Sequence, residues 1–412
     1  MAAGTCRTDV RYRVRGLRDC LNVDDFRTLA RRRLPAPIFH YVDGAAESEH
    51  TYRRSLLAWD EIGMAHNALV DVAAVDTATT VLGQRIAMPL LLSPTGTARL
   101  YHWRGELAVA RACAAAGTFY GVSMGSTFSL EEIAAAADGP KLFQLYVFRD
   151  RGLSIELIER CKGAGYAAVC LTVDTPVPGM RERDLRTGMT VPPAFGWKTL
   201  LDFAAHPAWT LGLLRGGRLR MGNLENRAEG RQDITTLARF LGGQLDPSVT
   251  WEDARRLVEA WGGPFAVKGI LSVADARRAV EIGASAIIVS NHGGRQFDAG
   301  ITPIEMLPRI ADAVGGQIEI ILDGGIRRGM HVLKALALGA TACAMGRPHV
   351  FGLAAGGEAG VRQLLALLHA EIRRNMILMG CATIDAVSRS MITNDRIAGY
   401  PIHKGDLGMA AV

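Results

Sequence analysis

Cysteine is scarce in this chain and spaced without pairing. The seven residues, Cys6, Cys20, Cys113, Cys161, Cys170, Cys343 and Cys381, are odd in number and include no C-x-x-C, which excludes a disulfide framework and points to a reducing compartment. No thiol has catalytic surroundings. The ten histidines form no H-E-x-x-H or other ligand cluster, so no metal is implied. Nowhere do about 18 apolar residues run together. The opening stretch, MAAGTCRTDVRYRVRGLRD, has arginines but no apolar core, so neither a spanning helix nor a signal peptide is expected. Charge of one sign is lacking too: 47 Lys and Arg against 41 Asp and Glu leave +6. That bias suits anionic small molecules or surfaces and is too weak, without a clustered basic stripe, to indicate nucleic acid, so none is expected. With 49% hydrophobic and 21% charged residues in 412, disorder is excluded, and the length allows two or three domains or one large barrel.

What the chain has is rhythm. From residue 88 onward, short apolar or β-branched runs alternate with helical patterns. Strand candidates span 88–94, 119–124, 141–147, 167–174, 264–269, 286–291, 318–325 and 342–348, and amphipathic stretches at 105–117, 275–284 and 329–340 lie between them. Strands apolar on both faces, each followed by a helix, predict an α/β fold: a closed (β/α)8 TIM barrel over 88–390, with a doubly wound open sheet as the competing architecture. Residues 1–87 read as an N-terminal helical extension packing on the barrel, and 391–412 as a tail. Residues 175–263 form a long insert after strand 4, and segments of that length are usually functional or mobile. Its 197–221 stretch interleaves Lys198, Arg215, Arg218 and Arg220 with Trp197, Leu200, Leu201, Phe203, Trp209, Leu211, Leu213 and Leu214. Such a mixture suits a membrane interface carrying anionic lipid, and equally a capping helix or a subunit contact.

In a parallel barrel the active site forms at the carboxyl ends of the strands. Those positions hold Thr95 and Gly96, Ser123, Gln144 and Tyr146, Thr172 and Asp174, Lys268, His292 and Arg295, Asp323, and Gly346 with Arg347. Core packing does not require polar groups at one end of every strand, since unpaired buried charge is costly. SNHGGRQFD (290–298) joins a candidate base, His292, to a guanidinium fork, Arg295, that can hold a carboxylate by two parallel hydrogen bonds; the two glycines let the backbone approach a ligand. Asp174 would orient the imidazole and stabilise its protonated form, or else cap the next loop. LDGGIRRG (322–329) and MGRP (345–348) end strands seven and eight, where barrels bind phosphate. There Gly324, Gly325 and Gly346 expose N–H groups, and Arg327 or Arg347 neutralises charge. Lys268 would either form a Schiff base or stabilise negative charge on a bound ring.

These motifs, with FHYVDGAAESEHT (39–51), SPTG (93–96), FQLYV (143–147), LTVDTPVPGMRERD (171–184) and VKG (267–269), occur in order at strand ends. They resemble the FMN-dependent 2-hydroxy acid dehydrogenase and oxidase family, which includes glycolate oxidase, lactate oxidase and mandelate dehydrogenase, from about residue 22 to residue 390. The resemblance implies FMN across the barrel mouth. Its phosphate would meet Gly324, Gly325, Arg327, Gly346 and Arg347, and its ribityl chain Asp323. Ser123, Gln144 and Thr172 would bond the ring, Thr95 and Gly96 would face N5, and Lys268 would sit beside N1 in place of any Schiff base. Tyr41 and Arg295 would grip the substrate carboxylate, Arg181 would assist, Tyr146 would bond the hydroxyl, and His292, paired with Asp174, would take a proton from the hydroxyl or from the carbon.

The resemblance also bears on substrate and partners. Gly125 and Pro178 stand where the glycolate oxidase pattern has tryptophan and leucine, which implies a roomier pocket for an (S)-2-hydroxy acid of mandelate type. Refilling by Met180 and Phe128 would favour lactate instead. The insert, with HPAW at 206–209, is similar to that of membrane-associated mandelate and lactate dehydrogenases. This implies a quinone acceptor and a cytoplasmic protein able to lie peripherally on the inner face of the membrane, and the family pattern implies a homotetramer. Gly96, where several oxidases carry alanine, leans toward a dehydrogenase. The alternatives are an oxidase releasing hydrogen peroxide, a flavin-free phosphate-binding lyase using Lys268, and a scaffold with a relict barrel.

Overall fold

The computed structural model describes residues 13–190, 193–224 and 245–395. All eight strands read from the sequence are present: β1 (Leu90–Thr95), β2 (Tyr120–Ser123), β3 (Lys141–Leu145), β4 (Ala168–Thr172), β5 (Phe265–Ile270), β6 (Ala286–Ser290), β7 (Glu319–Asp323) and β8 (Ala342–Met345). They pair in parallel and in chain order, and β8 closes on β1 through the register Cys343↔Leu90, Ala344↔Leu91 and Met345↔Leu92. The open-sheet alternative is thereby excluded. Helices follow each strand, from Gly105–Ala116 to the long Arg347–Met379, which breaks at Gly356 and Gly357.

Side chains alternate across each strand with a period of two, so residues i and i+2 share a face. Outward positions such as Leu90, Leu92, Val122, Phe143, Val169, Val267 and Leu322 join the main core beneath the helices. Inward positions form a second, smaller cluster of Leu91, Leu142, Cys170, Ala266, Ile288, Ile321 and Ala344. Two residues further along seven of the strands, the inward position turns polar: Ser93, Ser123, Gln144, Thr172, Lys268, Ser290 and Asp323, all buried. The barrel is therefore apolar below and polar at its carboxyl end, and the small residues of the lower layer let the upper one be reached from the mouth.

The extension is helical only as far as Glu61, in Val23–Arg33, Ala36–Asp43, His50–Leu57 and a short 3-10 turn. It then supplies strand Ile62–Met64, which pairs antiparallel with Ile392–Asp395, so the first residues expected in the tail belong to the fold. Next comes a hairpin, Thr79–Val81 with Gln84–Ile86, whose Val81, Leu82 and Ile86 plug the amino end of the barrel against its inner cluster. A helical reading missed this hairpin because its strands have only three residues each. Within the insert, Trp251–Trp261 is the helix that belongs to β4; the true excursion is shorter than 175–263. Its 191–192 and 225–244 parts lie outside the described residues, as do 1–12 and 396–412.

Among the described residues no helix is long and apolar enough to cross a membrane. No group of His, Cys, Asp or Glu there suits a metal ion, and the six cysteines among the described residues are buried and unpaired.

Candidate active site

The loop that carries His292 begins where β6 ends. His292 adopts φ +54°, a left-handed conformation that strains a residue bearing a side chain, and Gly293 and Gly294 continue it at +63° and +71°. Two contacts hold His292 there: its N–H donates to Ser290 Oγ at 3.1 Å, and its Nδ1 lies 3.0 Å from Asp174 Oδ1. Burial raises the Asp174 carboxyl, but the facing imidazole and nearby Lys268 more than offset this and hold it below the ordinary carboxylate value. Asp174 is thus an ionised anchor, and Nδ1–H is the tautomer it selects, which leaves Nε2 as the basic nitrogen. Both glycines are packed closely by neighbours within the protein, and Gly293 also lines the crevice. A Cβ on Gly293 would lie 2.6 Å from Arg347 Nη1, and one on Gly294 2.8 Å from the Tyr52 backbone.

The crevice at the mouth, about 360 Å³, is lined by every candidate site residue except Asp174, which stands behind His292. Tyr41, Arg181 and Arg295 meet on one side. The guanidinium carbons of Arg181 and Arg295 lie 5.7 and 5.3 Å from the centre of the same Tyr41 ring. Arg295 Nη1 donates to the carbonyls of Tyr41 (2.7 Å) and Gly44 (2.9 Å), and Arg181 Nε donates to Asp184 at 2.8 Å. Burial pushes the Tyr146 hydroxyl up to about 12, so it stays protonated and can donate.

In the floor, Lys268 Nζ lies 2.8 Å from both Ser290 Oγ and Asp323 Oδ2, while Ser93 donates to Asp323 Oδ1 at 2.8 Å. Ser290 also donates to Asp323 at 2.9 Å. Burial opposes charge on both partners, yet their mutual attraction prevails: the ammonium is raised above its ordinary value and the carboxyl lowered. Ser93 and Ser290 escaped the reading of strand ends, although counting inward positions by two from Thr95 and Ile288 finds both. Tyr52, whose ring lies 4.3 Å from the Arg347 guanidinium carbon, carried no sequence signal.

At the ends of β7 and β8, Gly324 and Gly325 have φ +154° and +71°. Any side chain on Gly325 would strike the Ser55 carbonyl. The Arg347 guanidinium is already committed, donating to the carbonyls of Val42 (3.0 Å), Gly293 (2.8 Å) and Gly44 (2.7 Å), so it contributes to this end of the crevice mainly as fixed charge. Arg327 folds back onto the Ile326 carbonyl at 2.8 Å. Across the mouth, Gln144 Nε2 and Thr172 Oγ1 are buried without a partner, although Gln144 Oε1 takes the Ser123 hydroxyl at 3.2 Å. Buried orphan donors call for a ligand with acceptors. Together with the Lys268 cation and the glycine turns beside two guanidiniums, this donor set fits a molecule with a polar ring at one end and a phosphate at the other, as FMN has.

Two residues considered as fillers of the substrate pocket are elsewhere. Met180 is 57% exposed, and Phe128 packs 5.4 Å under the Arg99 guanidinium. Gly125 and Pro178 do line the crevice, with Met221 and Leu245 from the excursion. The 197–221 stretch forms two helices, Trp197–Ala205 and Pro207–Arg215, anchored by Trp209 Nε1 on the Leu100 carbonyl at 2.7 Å and by Asp202 on the Ala36 N–H at 2.6 Å. Trp197, Leu200, Leu201, Leu211 and Leu214 are 58–72% exposed.

Comparison with known proteins shows the family. The profile of the FMN-dependent dehydrogenase family matches residues 30–394. An L-lactate dehydrogenase of Xanthomonas campestris pv. campestris (strain 8004) is 42% identical over 366 residues, 88% of this chain and 94% of the relative. One from Pseudomonas aeruginosa (strain LESB58) is 41% identical over 373 residues, 90% of this chain and 97% of the relative. Among solved structures, the monotopic membrane protein (S)-mandelate dehydrogenase superposes with a TM-score of 0.88 at 37% identity, covering 91% of this chain and 99% of that one. Mandelate oxidase with (S)-4-hydroxymandelic acid gives 0.79 at 38% identity, covering 90% and 98%.

Proposed function

The chain belongs to the FMN-dependent dehydrogenase family, and we propose that it oxidises an (S)-2-hydroxy monocarboxylic acid, of mandelate or lactate type, to the 2-oxo acid and passes the electrons to an external quinone. FMN, its cofactor, accepts two electrons at its ring when bound. Gly324, Gly325 and Gly346 N–H groups with Arg327 would hold its phosphate, Arg347 adding fixed positive charge behind them, and Asp323 would meet its ribityl chain. Ser123, Gln144 and Thr172 would take the ring's polar edge, Thr95 and Gly96 would face its centre, and Lys268 would set a positive charge beside it.

The substrate side is built by the chain itself. Arg295 and Tyr41 bind the carboxylate, Arg181 assists, and the protonated Tyr146 hydroxyl donates to the substrate oxygen. His292 takes a proton at Nε2 as the electron pair leaves the α-carbon, and Asp174 stabilises the imidazolium that results. The observation that carries this reading is the single crevice shared by the Asp174-oriented imidazole and the two arginines around Tyr41. Mixing pure yellow protein with (S)-mandelate or L-lactate without oxygen tests it: bleaching of the flavin is expected, and a colourless protein or an unbleached flavin would overturn it. The pocket beside Gly125 and Pro178 favours mandelate over glycolate. Readmitting oxygen separates the two fates of the electrons, since slow reoxidation marks a dehydrogenase and rapid peroxide formation an oxidase.

The exposed apolar side of the 197–215 helices, flanked by Lys198 and Arg215, supports a peripheral contact with anionic bilayer, where a quinone would be met. Replacing Trp197, Leu200 and Leu214 by serine is expected to abolish sedimentation with anionic vesicles while leaving flavin content intact; unchanged sedimentation would remove this contact. Assembly as a homotetramer belongs to the same reading and is checked by light scattering.

A further inference from the structure

Asp184 lies in the short helix Glu182–Thr187 and is 5% exposed. Its Oδ2 accepts from Arg181 Nε at 2.8 Å, while its buried Oδ1 has no hydrogen-bond partner. Burial raises this carboxyl, and Arg181 and then Arg295 pull the other way. The other acids of the neighbourhood are engaged. Asp43 accepts from Arg27 Nε at 2.5 Å and from Arg183 at 3.1 Å, and Glu49 pairs with Arg183. Asp184 is thus the carboxylate that sits against the Arg181 and Arg295 pair.

We propose that Asp184 sets the charge of the substrate site. It cancels one of the two cations around Tyr41, so that this clamp presents one net positive charge and selects hydroxy monocarboxylates against dicarboxylates. The proposal rests on the reading of Arg181 and Arg295 as the carboxylate clamp. A monoanion entering this clamp leaves it neutral; a dianion leaves a buried negative charge facing Asp184, an arrangement that discriminates by repulsion. A unit charge several ångströms away in a partly buried site is worth a factor of about ten or more in affinity. Asp184 does not line the crevice and acts through Arg181; it is a charge-balancing residue, distinct from the groups that touch substrate.

Oxalate and oxamate give the test, because they differ in one carboxylate replaced by an amide. Their dissociation constants are read from the perturbed flavin spectrum of the holoenzyme, for wild type, Asp184→Asn and Asp184→Glu. The asparagine keeps an oxygen for Arg181 Nε and removes the charge. It is expected to raise the oxalate-to-oxamate affinity ratio about tenfold, whereas the glutamate variant stays within about twofold of wild type. A general loosening of the pocket weakens both anions and cancels in the ratio. A ratio unmoved by Asp184→Asn, or moved as far by Asp184→Glu, would overturn the proposal. Failure of both anions to perturb the wild-type flavin would instead overturn the clamp reading and the proposal with it.

Discussion

Replacing Asp174 by alanine removes the group that orients the base without touching the crevice wall. Before proton transfer the contact is a hydrogen bond at 3.0 Å. Once the imidazole has accepted a proton, the same contact becomes an ion pair. Two unit charges about 4 Å apart attract by about 4 kcal/mol at an effective dielectric constant near 20. The side chains are 25% and 13% exposed, so screening reduces this, and about 3 kcal/mol, or about 10²-fold in rate, is the reasonable share. The assay is anaerobic stopped-flow bleaching of the flavin by (S)-mandelate or L-lactate. The limiting reduction rate is expected to fall about 10²-fold, with flavin content and substrate affinity nearly unchanged, because Asp174 contacts neither. A variant that reduces its flavin within about threefold of wild type would refute the role of Asp174, and an equal loss in substrate affinity would show that the loop had moved.

The remaining predictions follow from buried charge. Lys268→Met strands Asp323 in the polar layer and should cost about 3–5 kcal/mol of stability, read as a lower urea midpoint; a loss under about 1 kcal/mol would mean that Asp323 is not held as an anion. His349 is buried and neutral, donating from Nδ1 to the Met345 carbonyl and accepting from Thr95, both at 3.0 Å. Burial pushes it down to about 4. Since the unfolded chain takes up that proton near pH 6.5, the stability it contributes is complete above pH 6.5 and is lost as pH falls toward 4, by about 3 kcal/mol for this residue. Unfolding midpoints at pH 7 and 4.5 check this, and His349→Gln should flatten the difference. Arg347→Lys keeps a charge but loses the planar fork that ties three carbonyls; a lower melting temperature and slower flavin reduction are expected, and native values for both would contradict the committed geometry.

The barrel was legible because its signal is redundant. Eight apolar runs at regular spacing leave little freedom once parallel strands must be covered on both sides, and the period of two then places Gln144, Thr172, Lys268 and Asp323 in one inward layer. The contact between His292 and Asp174 was legible for the same reason: both follow strand ends directly. What the sequence concealed are relations between distant segments. Tyr52, Val42 and Gly44 come from the extension, and no local pattern announces that their atoms cradle Arg347 and Arg295. Arg347 read as a phosphate ligand since a guanidinium beside a glycine turn fits that role, but its donors meet carbonyls. Gly293 and Gly294 read as room for a ligand, and their missing side chains also make room for Arg347 and the Tyr52 backbone. Composition fixes which groups are available, and only tertiary packing decides which of them are already used.

That distinction explains why the extension is part of the active site. Three consecutive left-handed residues at 292–294 are costly for a loop to hold alone. Here the Gly294 carbonyl accepts from the Ala46 N–H at 2.8 Å, Gly293 is tied through Arg347 to Val42 and Gly44, and Asp298 accepts from the Thr51 N–H at 2.9 Å. The strain of the base loop is therefore borne by residues 42–51, and the clamp arginine hangs from the same segment through the carbonyls of Tyr41 and Gly44. His292 and Arg295 both come from the loop after β6, but their relative placement is set by a stretch of chain some 250 residues earlier. A cut between extension and barrel would leave every barrel residue of the proposed chemistry present and its geometry unsupported.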